Sequence, residues 1–183
     1  KDGSKALYFD WIDLAVFDIY ILKRVDARRD YSDEILAGVE RKFASYSPSD
    51  LSALTQVVLM GIPGEKDLTL EDLNNSIAIY SEIGREGLLR NLLHFLSSIA
   101  EVCESSGIKM TIHPDDPPYA ILGLPRIVSN QSDLEAILAG VNKPFNGVCF
   151  CTGSLGASQS NDVVSILDRV KDRVYFAHLR NVK

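Results

Sequence analysis

Three residues able to bind a transition metal recur at wide spacing: His113, Cys151 and His178, 38 and 27 residues apart. Each closes a short run rich in β-branched and aromatic residues, namely 108–113, 147–151 and 173–178. Such runs read as strands, and each spacing is roughly one βα unit of about 30 residues. In parallel α/β folds the C-terminal strand ends open onto one face, where loops build the site. Two imidazoles and a thiolate on one rim are a metal-ligand set. Each residue alone has an ordinary reading: a hydrogen-bonded histidine, or a cysteine filling the core as a small hydrophobe. The shared topological position is what favours a metal site. Cys149 lies on the same side of its strand as Cys151, one layer deeper, and reads as core.

The flanking residues extend the pattern. His113-Pro114-Asp115-Asp116-Pro117-Pro118 is a stiff loop, because proline keeps the preceding residue extended. Asp115 and Asp116 are the candidate catalytic residues, able to orient an imidazole or to act as acid and base; a solvated acidic turn is the plainer alternative. Thr152-Gly153-Ser154-Leu155-Gly156 reads as a Gly/Ser loop after the second strand. It lacks the lysine of a P-loop, so nucleotide binding is unsupported. Ser154 and Arg180 are the candidate substrate contacts, Arg180 as a donor to an anion. His94 falls off the apolar stripe of its helix and reads as exposed.

Three zones must position these residues. In residues 1–30, Lys5–Phe9 and Ala15–Leu22 surround Asp10-Trp11-Ile12-Asp13 and suggest a hairpin. Residues 31–106 read as helical. Ser32 caps one helix, Ser47-Pro48 opens a second that ends at Gly61, Pro63 and Gly64, and Thr69 with Asp72 resembles a capping box. A long helix follows from about Gly84 to Ser105, with Leu89, Leu92, Leu93, Leu96, Ile99 and Ala100 as its apolar stripe and Gly107 as its stop. Residues 107–183 alternate strand, loop and helix. Their helices run near Asp133–Ala139, with Ser132 and Glu135 as a capping box, and near Asp162–Val170. This is the rhythm of a parallel sheet.

Composition narrows the function. The chain has 183 residues, 46% hydrophobic and 24% charged, an ordinary globular balance that rules out dominant disorder. A net charge of −6 with a pI near 5.0 and no Lys/Arg run makes nucleic acid or a membrane surface a poor partner. No run of about 18 apolar residues suggests a transmembrane helix, and Lys1–Lys5 does not resemble a signal peptide. Three cysteines, two of them in one strand, favour a reducing cytoplasm over a disulfide framework.

The chain resembles D-mannonate dehydratase. The resemblance is carried by Ile112–Pro118, Gly123-Leu124-Pro125-Arg126-Ile127-Val128-Ser129, Cys151–Gly156 and Phe176-Ala177-His178-Leu179-Arg180-Asn181-Val182. It extends to Val16–Arg24 and Leu59–Gly64, and so covers essentially the whole chain. It implies a xylose-isomerase-like (β/α)8 TIM barrel, present here in part, with a helical insertion. It maps the metal ligands onto His113, Cys151 and His178, and implies Mn2+ or Fe2+ as cofactor. Ligand chemistry alone would accept zinc as readily.

The implied reaction takes D-mannonate to 2-keto-3-deoxy-D-gluconate and water, in hexuronate catabolism. The family supplies a further Asp ligand from the next strand, and the sequence stops at Lys183 before it; a full barrel needs about 250 residues. The expectation is therefore an internal piece of a longer, homo-oligomeric enzyme, with the principal acid/base outside it, and inactive or unstable alone because its strand edges lack partners. The rivals are a sugar isomerase or epimerase of the same barrel group, and a non-catalytic domain whose His and Cys fill the core.

Overall fold

A computed structural model describes residues 9–60 and 68–182. The chain packs as two compact units, Lys1–Ile79 and Tyr80–Lys183, so the division falls inside the predicted helical zone rather than at its ends.

The first unit is helical where a hairpin was expected. Helix α1 spans Trp11–Val16 and continues as a π-helical turn over Phe17–Leu22. The expected strand Lys5–Phe9 lies outside the described residues except for Phe9, which is in neither a strand nor a helix. Two features overrule the β-branched composition. The Asp10 carboxylate accepts from the Ile12 and Asp13 N–H groups at 2.7 and 3.3 Å, satisfying donors at the start of a helix. The apolar run also lacks alternation: Leu14, Ala15, Val16, Phe17 and Asp18 are all buried, which a strand exposing every second residue to water cannot do. Lys23 closes the turn in the left-handed region (φ 56°). Its N–H reaches the Asp18 carbonyl, one residue further back than an α-helix allows.

Helices α2 (Asp33–Ser45) and α3 (Pro48–Leu59) start where their caps predict. Ser32 Oγ accepts from the Ile35 N–H, and Ser47 and Asp50 form a reciprocal box with Pro48 at the first helical position. Ala15, Val16, Tyr31 and Val39 form the centre of this unit's core, and Trp11, Ile12, Phe43 and Tyr46 are among the side chains packed on it. Gly61, Pro63 and Gly64 lie outside the described residues; α3 ends at Leu59.

Element α4 runs from Leu70 to Ser106 and opens on the expected Thr69–Asp72 box. It is interrupted at Gly84, whose φ of 62° and ψ of 176° suit glycine. Gly107 (φ 67°) ends it, and the Ile108 N–H bonds back to the Cys103 carbonyl at 2.9 Å. The predicted stripe packs as read: Leu96 is at the centre of the second unit's core, with Leu89, Leu92, Leu93, Ile99 and Ala100 against it.

Three parallel strands follow: β1 (Met110–Ile112), β2 (Asn146–Cys151) and β3 (Val174–His178), in the order β1-β2-β3. Between them lie α5 (Gln131–Gly140), α6 (Thr152–Gly156) and α7 (Val163–Val170). Two local expectations are corrected. Asn130, not Ser132, caps α5: its Oδ1 accepts from the Asp133 N–H at 3.0 Å, so the helix begins earlier than read. Glu135 accepts instead from Gln131 and Arg169. Residues 152–156 form one short helix rather than a loop. Strand β2 is buried along its whole length, whereas β3 is exposed from Tyr175 onward despite its apolar sequence.

Candidate metal centre

The register of the sheet brings the three candidate ligands together. Cys151 and His178 are partners across β2 and β3, and His113 follows Ile112, the last residue of β1. The ligand atoms of His113, Cys151 and His178 all lie within 4.8 Å of one another. His113 Nε2 and His178 Nδ1 are 3.2 Å apart. Two ring nitrogens on one ion at about 2.1 Å each would sit about 3.4 Å apart in a tetrahedral set. The donor set and spacing therefore fit a divalent transition-metal ion.

The orientation of each candidate ligand has an identifiable cause. His113 Nδ1 is 2.7 Å from the Pro114 carbonyl. As the donor there, it leaves Nε2 as the lone-pair nitrogen facing His178. The His178 ring meets Phe176 edge-on, at 5.4 Å between centroids. Cys151 is 1% exposed, and its Sγ accepts from the Ser154 N–H at 3.4 Å and the Ser154 hydroxyl at 3.2 Å. Cys149 is also buried, and burial first, then the neighbouring Cys151, pushes its thiol pKa up. It is a core residue, as the strand pattern indicates. His94 is exposed on α4.

The two acidic candidates have different surroundings. Asp115 Oδ2 accepts from the Ile127 and Val128 N–H groups at 3.1 and 2.8 Å and from the Ser129 hydroxyl at 3.1 Å. Its own N–H donates to the Val128 carbonyl, so Asp115 stitches the loop after β1 to the segment before α5. Asp116 is exposed and pairs with Arg180 at 2.6 Å. That bond, against a smaller burial effect, raises the Arg180 pKa further above its ordinary value. Arg180 Nη2 also lies 3.5 Å from Ser154 Oγ. Ser154, read from sequence as a substrate contact, is wholly buried and turned to Cys151 and Arg180.

Sequence reading gave Thr152 and Gly153 no part in holding Arg180. Thr152 Oγ1 donates to the Arg180 carbonyl at 2.8 Å and accepts from the Arg180 N–H at 2.9 Å, fixing the chain just past His178. A Cβ at Gly153 would lie 2.1 Å from Arg180 Nε, so the glycine leaves room for Arg180 in the conformation it adopts here. The signal was the Thr-Gly-Ser run directly after a ligand-type cysteine, which looks the same in a flexible loop.

Comparison with known proteins supplies the context. The D-mannonate dehydratase (UxuA) family model matches residues 1–183. A mannonate dehydratase from Rhizobium meliloti (strain 1021) is 43% identical over 183 residues, and mannonate dehydratase 1 from Agrobacterium fabrum is 44% identical. Another from Saccharophagus degradans is 39% identical. Each alignment covers 100% of this chain and 46% of the relative, so the chain spans about half the length of the curated relatives it matches. The crystal structure of mannonate dehydratase from Streptococcus suis serotype2 superposes with a TM-score of 0.56 at 35% identity, over 65% of this chain and 34% of that one.

Proposed function

This chain belongs to the D-mannonate dehydratase (UxuA) family, and we propose that it contributes the His113–Cys151–His178 centre to an enzyme that dehydrates D-mannonate to 2-keto-3-deoxy-D-gluconate. One observation carries the reading: three donor atoms within 4.8 Å, at the ends of adjacent parallel strands, in a chain matched throughout by that family. The strand order and the βα rhythm support part of a (β/α)8 barrel, whose following strand would cover the exposed residues of β3.

The reaction is a β-elimination. The C2–H and C3–O bonds break, water leaves, and the resulting enol becomes the 2-keto-3-deoxy acid. His113 Nε2, Cys151 Sγ and His178 Nδ1 would hold a divalent ion, Mn2+ or Fe2+. What that ion supplies is Lewis-acid stabilisation of the negative charge that builds beside the substrate carboxylate. Arg180 binds that carboxylate with its planar fork, exchanging Asp116 for it. Asp116, once released, is the exposed carboxylate at this rim able to orient a hydroxyl or pass a proton. Asp115 fixes the loop that carries both His113 and Asp116. The further ligand and the principal acid/base belong to the rest of the enzyme, which we place in the cytoplasm as a homo-oligomer. Among the described residues no helix is long and apolar enough to cross a membrane.

Product analysis of the full-length enzyme tests the reading. Incubation with D-mannonate should give a 2-keto-3-deoxy acid, one water lighter than its substrate. A product of unchanged mass would point instead to a sugar isomerase or epimerase on the same scaffold.

A further inference from the structure

The candidate metal centre and Arg180 are linked through a buried side chain. Ser154 is 0% exposed. Its hydroxyl lies 3.2 Å from Cys151 Sγ and 3.5 Å from Arg180 Nη2, and its N–H also reaches Sγ. The direction of these bonds follows from donor chemistry. A guanidinium has only donors. If Arg180 donates to Ser154 Oγ, the single hydroxyl hydrogen is free to point at sulfur. Gly153 provides the seat, because a Cβ there would meet Arg180 Nε at 2.1 Å and Cζ at 2.9 Å. The outer end of Arg180 is held by Asp116 at 2.6 Å.

We propose that Ser154 is a positioning residue: Arg180 orients its hydroxyl, and the hydroxyl orients and tunes the Cys151 sulfur as a metal ligand. The proposal rests on reading His113, Cys151 and His178 as a metal centre. Its consequence is that the group binding the substrate carboxylate and the group ligating the metal share one hydrogen-bond chain, Arg180 to Ser154 to Cys151. A change in how Arg180 is engaged is then felt at the sulfur. Hydrogen bonds to a ligating atom commonly alter metal affinity by about 10–100-fold when removed.

The experiment uses the full-length protein loaded with Co2+ alone, and reads the thiolate-to-cobalt charge-transfer band and the metal dissociation constant. Ser154→Ala should move the band to longer wavelength, because a sulfur relieved of its hydrogen bond is a better electron donor. It should weaken Co2+ retention about 10-fold or more. Arg180→Met, at an exposed side chain, should shift the band the same way by less, and tests the chain even if Ser154→Ala does not accumulate as folded protein. In the Ser154→Ala background, Arg180→Met should add nothing further to the band, since coupled residues are not additive. An unchanged band and affinity in Ser154→Ala, an unchanged band in Arg180→Met, or full additivity of the two would each overturn the relay. Absence of any thiolate band in the unsubstituted protein would overturn the metal reading itself, and the relay with it.

Discussion

Each unit gathers ionisable side chains around one point, and the two clusters have opposite logic. In the N-terminal unit, Asp18 is 0% exposed and its carboxylate accepts from Arg24 Nε and Nη2 and from the Tyr31 hydroxyl at 2.8 Å. Arg24 also reaches Asp30 at 2.7 Å. Burial, and then the bond to Asp18, push the Tyr31 pKa above the usual phenol range, so that hydroxyl remains a donor. Every partner here is complementary, and the lone pairs are consumed. In the C-terminal unit, His113 Nε2 and His178 Nδ1 face each other beside a sulfur. Those groups are each held from behind, by the Pro114 carbonyl, Phe176 and Ser154. A saturated cluster stabilises a fold; the second gathers the donor set that the proposal above assigns to a metal ion.

Substitutions can break that contrast. The largest effect is expected at Cys151. In the full-length protein, Cys151→Ser should cost more than about 100-fold in metal affinity, beyond what loss of an indirect contact does, and should abolish dehydration. Metal analysis after gel filtration checks this. Asp18→Ala should destabilise its own unit by about 1–3 kcal/mol, because Arg24 keeps Asp30 while the buried Tyr31 hydroxyl loses its acceptor. The same variant should keep its metal, as read by denaturant unfolding beside metal analysis. Loss of metal on Asp18→Ala with stability intact would invert the assignment of the two clusters.

Much of this was legible before any coordinates. The strand ends at His113, Cys151 and His178 stood out because β-branched runs, turn residues and amphipathic helices alternate regularly in this half. There, β2 is buried along its whole length and reads as a continuous apolar run. The N-terminal half misled because Ala15–Leu22 has strand-like composition, and composition cannot distinguish a buried strand from a buried helix. The Asp10 cap and the missing alternation were the signals that mattered. Asp18 itself carried no sequence signal, since its partners Arg24 and Tyr31 come together only when the π-helical turn closes. That the Ser154 hydroxyl turns to Cys151 and Arg180 was not legible, because proximity in sequence to Cys151 does not tell which way a hydroxyl points.

Smaller changes sharpen the comparison by showing where ordinary structure ends. Gly107→Ala, at a φ of 67°, should cost about 1 kcal/mol by forcing a side chain into the left-handed region, measured as a shift in the denaturation midpoint. Arg169→Ala removes an exposed pair with Glu135 at 2.8 Å and should cost no more than about 0.5 kcal/mol by the same measurement. Neither should alter metal content.

The shared-ion claim is tested most directly by X-ray absorption at the metal edge of the purified full-length enzyme and its Cys151→Ser variant. One sulfur together with imidazole nitrogen scatterers around a single ion, with the sulfur contribution lost on substitution, is the predicted result. A shell of oxygen and nitrogen alone in the unsubstituted enzyme, unchanged by Cys151→Ser, would contradict it.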